Sequence, residues 1–232
     1  MSTNRAALLP VRLRNLFTGL VLFGVSVGLM VRAGLGLASW DVLHQGLARQ
    51  TGLPLGWTIN LVGAAVLALW WPLRQRPGVG TVANLVAVGL VADATIAVVP
   101  AVQPLAVRIP LLAAAIVVNA VGTGLYVGAG LGPGPRDGLM TGLAARGHSI
   151  RLVRTLIELS VLAVGWLLGG SVGIGTVAFA LLIGPLAQIA IRRLGVGEGI
   201  EPVPDHRPGR LTDALIRAGR PRGAAGRATM SP

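Results

Sequence analysis

One stretch of this chain occurs twice. Gly24 to Ala48 reads GVSVGLMVRAGLGLASWDVLHQGLA, and Ala120 to Ala144 reads AVGTGLYVGAGLGPGPRDGLMTGLA, with 13 of 25 positions identical at a constant offset of 96. Composition alone gives about one match in ten, so this is an internal repeat. After a one-residue slip the match resumes: Val66-Leu67-Ala68 with Val161-Leu162-Ala163, Trp71 with Trp166, and Gly78 to Ala83 with Gly173 to Ala178. Both halves therefore carry the same succession of elements.

The repeated elements are apolar. Hydrophobic residues make up 53% of the chain and charged residues 12%, about half the charge of a soluble domain. Six blocks are long enough to span a bilayer: Leu16–Val31, Leu55–Trp71, Thr81–Val99, Ile109–Val127, Leu152–Leu168 and Val172–Ile191. The net charge of +12 comes from Arg, with no Lys. These Arg lie between apolar blocks and in the tail, which disfavours nucleic-acid binding and suits anionic headgroups. Arg5, Arg12 and Arg14 precede the first block as in a signal peptide. That block recurs inside the second half, which favours a retained helix. The absence of Cys excludes disulfides and thiolate sites.

Arg74 and Arg76 lie in the second connection, Arg136, Arg146, Arg151 and Arg154 in or beside the fourth, and Arg192-Arg193 open the tail; the opposite side has only Arg32, Arg49 and Arg108. The positive-inside rule then places both termini in the cytoplasm. Trp70 and Trp71 fall at one expected interface, Trp57 and Trp166 at the other. Three crossings per repeat is odd, so the second copy runs in the opposite sense. The expected fold is an all-α polytopic membrane protein of six transmembrane helices, arranged as two inverted three-helix repeats. Short amphipathic or re-entrant helices follow helices 1 and 4. The expected divisions are a cytoplasmic N-terminus (1–15), two repeats (16–104 and 105–193) and a disordered Gly/Pro/Arg-rich cytoplasmic tail (194–232).

An acid inside a span costs about 2.5–3.5 kcal/mol at mid-helix and marks a functional candidate. Asp93 sits in the third block and aligns with Gln188 of the other half. The two are expected to face one another across the repeat axis, although Asp93 can also be a packed, hydrogen-bonded acid. Glu158 in the fifth block has Arg154 one turn earlier, which reads either as an internal ion pair near the interface or as a pair lining a cavity. Asn60 and Asn119 are further candidates, or interhelical glue. Asp41 and Asp137 read as N-caps of the short helices. Thr81 and Thr176, in paired Gly-x-Gly-Thr turns, read as helix N-terminal residues. No spacing fits a metal, a cofactor or a catalytic constellation, so no enzyme activity is expected.

Several of these segments resemble the YczE/YitT-type bacterial integral membrane proteins from about Phe17 to Ile191. The likeness rests on Gly34-Leu-Gly, Ser39-Trp40-Asp41, Gly80-Thr81, Gly89 and Asp93. In the second half it rests on Gly132-Pro-Gly-Pro135-Arg-Asp137, Arg154 with Glu158, and Gly173-Ile-Gly-Thr176 with Gly184-Pro185. The short tail departs from the YitT branch, whose members carry a soluble C-terminal domain. The resemblance implies a small polytopic protein of the bacterial cytoplasmic membrane and no settled activity. Two functions follow: a small secondary transporter for a polar or anionic solute, or a non-transporting scaffold for a biosynthetic or export system. The partners expected are the lipid bilayer, a small solute and a second copy of the chain through the Gly-rich faces.

Overall fold

Prolines and glycines set the limits of the helices here. The computed structural model describes residues 8–147 and 149–196. In chain order the helices are α1 (Leu9–Ala33), α2 (Ser39–Thr51), α3 (Leu55–Ala68), α4 (Trp70–Leu73), α5 (Val79–Val98), α6 (Leu105–Gly128), α7 (Pro135–Ala144), α8 (Ile150–Leu167) and α9 (Ile174–Leu194). Pro10 sits in the first turn of α1, where its missing N–H is harmless, so the helix starts seven residues before the expected Leu16. α3 stops at Ala68 because the Pro72 ring would collide with that carbonyl, and α4 continues after the break.

Five segments are long and apolar enough to cross a membrane: Leu9–Ala33, Leu55–Leu73, Val79–Val98, Leu105–Gly128 and Ile174–Leu194. α8 has 18 residues but carries Arg151, Arg154 and Glu158. The chain is thus a polytopic membrane protein, all-helical among the described residues. Its polarity is distributed accordingly. Phe17, Val21, Leu61, Val86, Leu90 and Leu181 are exposed, while Ser26, Asp41, His44, Thr81 and Asn119 are buried. Lipid solvates the apolar surface, and the interior collects groups that need partners.

α1 and α6 form the centre. α5 packs on the other side of α1, α9 on the other side of α6, α3 on α5, and α8 on α2 and α7. Asn119 on α6 donates to Ser26 Oγ on α1 at 2.6 Å in the dry centre of this pair. The close approaches are repeated between halves. Gly28 of α1 meets Thr95 of α5, and Gly124 of α6 meets Ala190 of α9.

The halves also grip each other reciprocally. Arg12 donates from Nε to Ala129 O at 2.7 Å and from Nη2 to Gly130 O at 2.8 Å. Arg108, its counterpart at offset 96, donates from Nε to Ala33 O at 2.7 Å and from Nη2 to Gly34 O. The start of each central helix thus closes the end of the other, so α1 and α6 lie antiparallel. The guanidinium satisfies carbonyls that a helix end leaves free and complements its negative pole. Likewise Gly80 N donates to Leu131 O at 2.9 Å, and Gly175 N to Leu35 O at 2.8 Å. The third long helix of each half starts against the Gly-Leu-Gly turn of the other.

Trp70 packs inside the protein. It is 2% exposed, donates from Nε1 to Pro135 O at 3.0 Å and fills the space beside Gly138, whereas Trp71 is 90% exposed. The tail beyond residue 196 lies outside the described residues.

Arg12→Ala and Arg108→Ala should each destabilise the purified protein by about 1.5–3 kcal/mol, the range for hydrogen bonds to a charged donor. Thermal unfolding in detergent reads this. If one substitution is costly and the other neutral, the clamps are not equivalent.

Candidate functional site

The two short helices start after equivalent Gly-Leu-Gly turns. Gly36 and Gly132 have φ of 113° and 126°, a left-handed conformation that favours glycine. A Cβ on Gly132 would also lie 2.9 Å from Gly78 Cα, and one on Gly36 would lie 2.6 Å from Gly173 N. The turns therefore press each short helix against the opposite half.

The N-cap residues are Ala38 for α2 and Gly134 for α7, with no side-chain cap bond at either. This corrects the expectation for Asp41 and Asp137. Each stands third in its helix, because the chain enters helical geometry three residues sooner. An acid in the first turn still suits the positive pole, but these carboxyls are turned toward other charges.

Asp41 is 3% exposed. Its Oδ1 accepts from His44 Nδ1 at 3.3 Å and lies 3.6 Å from Arg136 Nη2. Arg136 Cζ lies 5.2 Å from the centre of the Trp40 ring, within cation–π range. Trp40 and Arg136 are themselves equivalent at offset 96, so the two halves meet through unlike residues at one repeat position. Burial opposes ionisation of Asp41, yet the His44 hydrogen bond and the Arg136 charge prevail, and its pKa falls below the ordinary value. Burial, reinforced by the Arg136 charge, lowers His44 against the pull of Asp41. The arrangement is a carboxylate held between a neutral imidazole and a guanidinium.

Asp137 is held differently. It is exposed and has no hydrogen bond among the described residues. Arg154 and Arg136 act on its carboxylate as neighbouring cations, and Glu158 as a second negative charge. Beside it, the Tyr126 hydroxyl lies 2.8 Å from where a Cβ of Gly134 would stand. Tyr126 Oη and Trp40 Nε1 are both buried without a partner in the protein. Unpaired buried donors are uncommon in folded proteins and mark places where a ligand or water completes the bonding.

Arg154 and Glu158 thus lie within charge range of Asp137, and among the described residues they form no ion pair with each other, contrary to the internal-pair expectation. Asp93 and Gln188 are not brought together. Asp93 Oδ1 accepts from Gly56 N at 2.7 Å, holding the start of α3, while Gln188 is exposed on α9. They lie on opposite flanks of the central pair because α5 packs on α1 and α9 on α6. Asp93 also lines an open cleft of about 630 Å³ with Arg32, Gln45, Arg49 and Trp57. Asn60 donates weakly to Val86 O at 3.5 Å between α3 and α5, and Asn119 joins α6 to α1. Thr81 accepts from Gly78 N and donates to Pro133 O, and Thr176 accepts from Gly173 N.

Sequence reasoning passed over Arg136, Trp40, His44 and Tyr126. The usable signal was the repeat itself: Asp41 and Asp137 match, while the residues before them are Trp and Arg.

Comparison with known proteins gives the family and agrees with a membrane protein. Residues 11–192 match a family of unknown function, DUF6198. The chain is 34% identical over 180 residues to an uncharacterised membrane protein of Bacillus subtilis, YczE, covering 75% of this chain and 83% of that protein. The chain belongs to the YczE-like family. An uncharacterised protein of Haemophilus influenzae is 42% identical over 174 residues, covering 75% of this chain and 80% of that protein. No solved structure matches. The Bacillus subtilis relative is a membrane protein by name, and the charge cluster described above falls within the matched segment.

The Asp93 anchor is testable by substitution. Asp93→Ala leaves Gly56 N–H without its partner and should cost about 1–3 kcal/mol, whereas Asp93→Asn keeps an acceptor and should cost less. Equal thermal stability of Asp93→Ala and wild type in detergent would contradict the anchoring role.

Proposed function

We propose that this chain is a small secondary transporter of the bacterial cytoplasmic membrane, carrying a small polar or anionic solute past the first turns of α2 and α7. The observation that carries the reading is the meeting of these two helix starts at Arg136, next to buried donors that lack partners. Helix N-termini and a guanidinium favour an anion. Trp40 Nε1 and Tyr126 Oη supply neutral donors, and Arg154 with Glu158 edges the open side.

In this reading α8 is the sixth span, its Arg151 and Arg154 reaching toward the headgroups at its start. The reciprocal Arg12 and Arg108 clamps and the antiparallel α1–α6 pair support two inverted repeats. The Arg-rich connections support cytoplasmic termini. Short helices ending near mid-membrane at a repeat interface are a common construction for binding sites in transporters. Asp41 is buried while Asp137 is open, an asymmetry suited to a site facing one side at a time.

The test compares solutes inside and outside cells of a deletion strain complemented with wild type or Arg136→Gln. Losing a charged hydrogen bond of about 1.5–3 kcal/mol predicts a 10- to 100-fold weaker interaction. One anionic solute should then be displaced in both the deletion and Arg136→Gln strains and restored by wild type. Full function of Arg136→Gln, with a stable protein partner recovered on pull-down, would instead establish the scaffold role.

A further inference from the structure

Two arginines and an acid share one cleft at an end of the helical bundle. The last turn of α1 supplies Arg32, the last turn of α2 Arg49, the first turn of α3 Trp57, and the last two turns of α5 Asp93 and Ile96. The cleft is open, with a volume of about 630 Å³, inside the usual range of roughly 300–1,000 Å³ for ligand sites.

Its charged groups are only partly engaged by the protein. Arg32 donates from Nε to Ile96 O at 3.1 Å, and Arg49 from Nη2 to Ser171 Oγ at 3.3 Å. Asp93 Oδ1 accepts from Gly56 N at 2.7 Å. Arg32 Nη1, Arg49 Nε and Asp93 Oδ2 have no hydrogen bond among the described residues. Neither arginine forms an ion pair with Asp93 among these residues. Opposite charges that face one cleft without meeting suit a ligand that carries both signs.

The duplicated frame does not need these groups. At the equivalent end of the other half, Gly128 and Ala145 stand for Arg32 and Arg49, and Gln188 for Asp93. There the chain after α9 packs on Gly128, with Val196 N donating to Gly128 O at 3.1 Å. The surroundings point to the source of the ligand. In a membrane protein the ends of the spanning helices lie at the level of the headgroups. Trp57 is 57% exposed at the rim and Leu53 43% exposed, and exposed tryptophan is enriched at that level. Guanidinium groups match phosphate oxygens, and a carboxylate matches an ammonium.

We propose that this cleft binds a bilayer phospholipid with a phosphoethanolamine headgroup. The phosphate lies between Arg32 and Arg49, the ammonium reaches the second oxygen of Asp93, and the acyl chains leave past Trp57 and Leu53. The site is separate from Arg136 and the starts of α2 and α7, and it does not rest on the transporter reading.

Native mass spectrometry of the purified full-length protein reads this binding directly. Phosphatidylethanolamine, phosphatidylglycerol and phosphatidylcholine with identical acyl chains are added in turn. Phosphatidylglycerol offers the phosphate but leaves Asp93 without a cation, and phosphatidylcholine offers a cation with no N–H to donate. Wild type should bind phosphatidylethanolamine about tenfold more tightly than either, the low end for a charged hydrogen bond. Arg49→Gln should weaken phosphatidylethanolamine and phosphatidylglycerol alike. Asp93→Asn keeps an acceptor for Gly56 N and should bring phosphatidylglycerol level with phosphatidylethanolamine. If Arg49→Gln does not fold, the Asp93→Asn comparison decides alone. Equal binding of the three lipids by wild type, or an unchanged preference in Asp93→Asn, would overturn the proposal. Displacement of the lipid by soluble phosphoethanolamine at equal concentration would overturn the bilayer as the source.

Discussion

The structure depends on the antiparallel pairing of α1 and α6 and on the arginines that close it. Arg12 and Arg108 each bind the carbonyls ending the opposite central helix. Carbonyls at a helix end have no partner within the helix, and the guanidinium supplies one while complementing the negative pole. The clamp sits at both ends of the pair, which fixes its register as well as its direction. α5 and α9 then dock on the outer sides through Gly28 and Gly124, whose bare backbones admit Thr95 and Ala190. The buried Asn119–Ser26 bond adds a polar contact in the middle of the pair.

The charge cluster follows from this frame. Because Gly36 and Gly132 hold the turns before α2 and α7 against the opposite half, the starts of the two short helices are carried to the boundary between halves. Arg136 crosses that boundary to Asp41, and Trp70 of the first half fills the space beside Gly138 of the second. Near-symmetry in the backbone is thus combined with unlike side chains at the meeting point. The pairs Trp40/Arg136 and His44/Met140 are where duplicated positions have diverged, and the Asp41/Asp137 pair keeps its identity while its two members occupy different surroundings.

Much of the fold was legible in the sequence because apolar runs and an offset of 96 are local or periodic signals. Five of the six expected spans coincide with helices of spanning length and composition, and the Gly-x-Gly-Thr turns do form helix starts. The site was less legible. Asp41 and Asp137 resembled caps because a cap is assigned from immediate neighbours, and the true helix starts depend on how the glycine turns dock across the repeat. Asp93 and Gln188 were paired by alignment, but alignment does not reveal that α5 and α9 flank different central helices. Trp70 packs on Pro135 and Gly138, some 65 residues away, a contact that its local sequence does not carry. Arg154 and Glu158 stand out in the sequence as charges in an apolar helix, but that they act on Asp137 depends on how α8 packs against α7.

The central claim is that α2 and α7 are equivalent helices entering from opposite sides of the membrane. The chain has no cysteine, so single cysteines report cleanly. Thr51 at the end of α2 and Ala145 just after α7 are both exposed. Thr51→Cys and Ala145→Cys can be labelled with a membrane-impermeant maleimide in intact cells and in inverted vesicles. The account predicts that Thr51→Cys reacts only from outside and Ala145→Cys only from inside. Reaction of both from the same side would contradict the inversion.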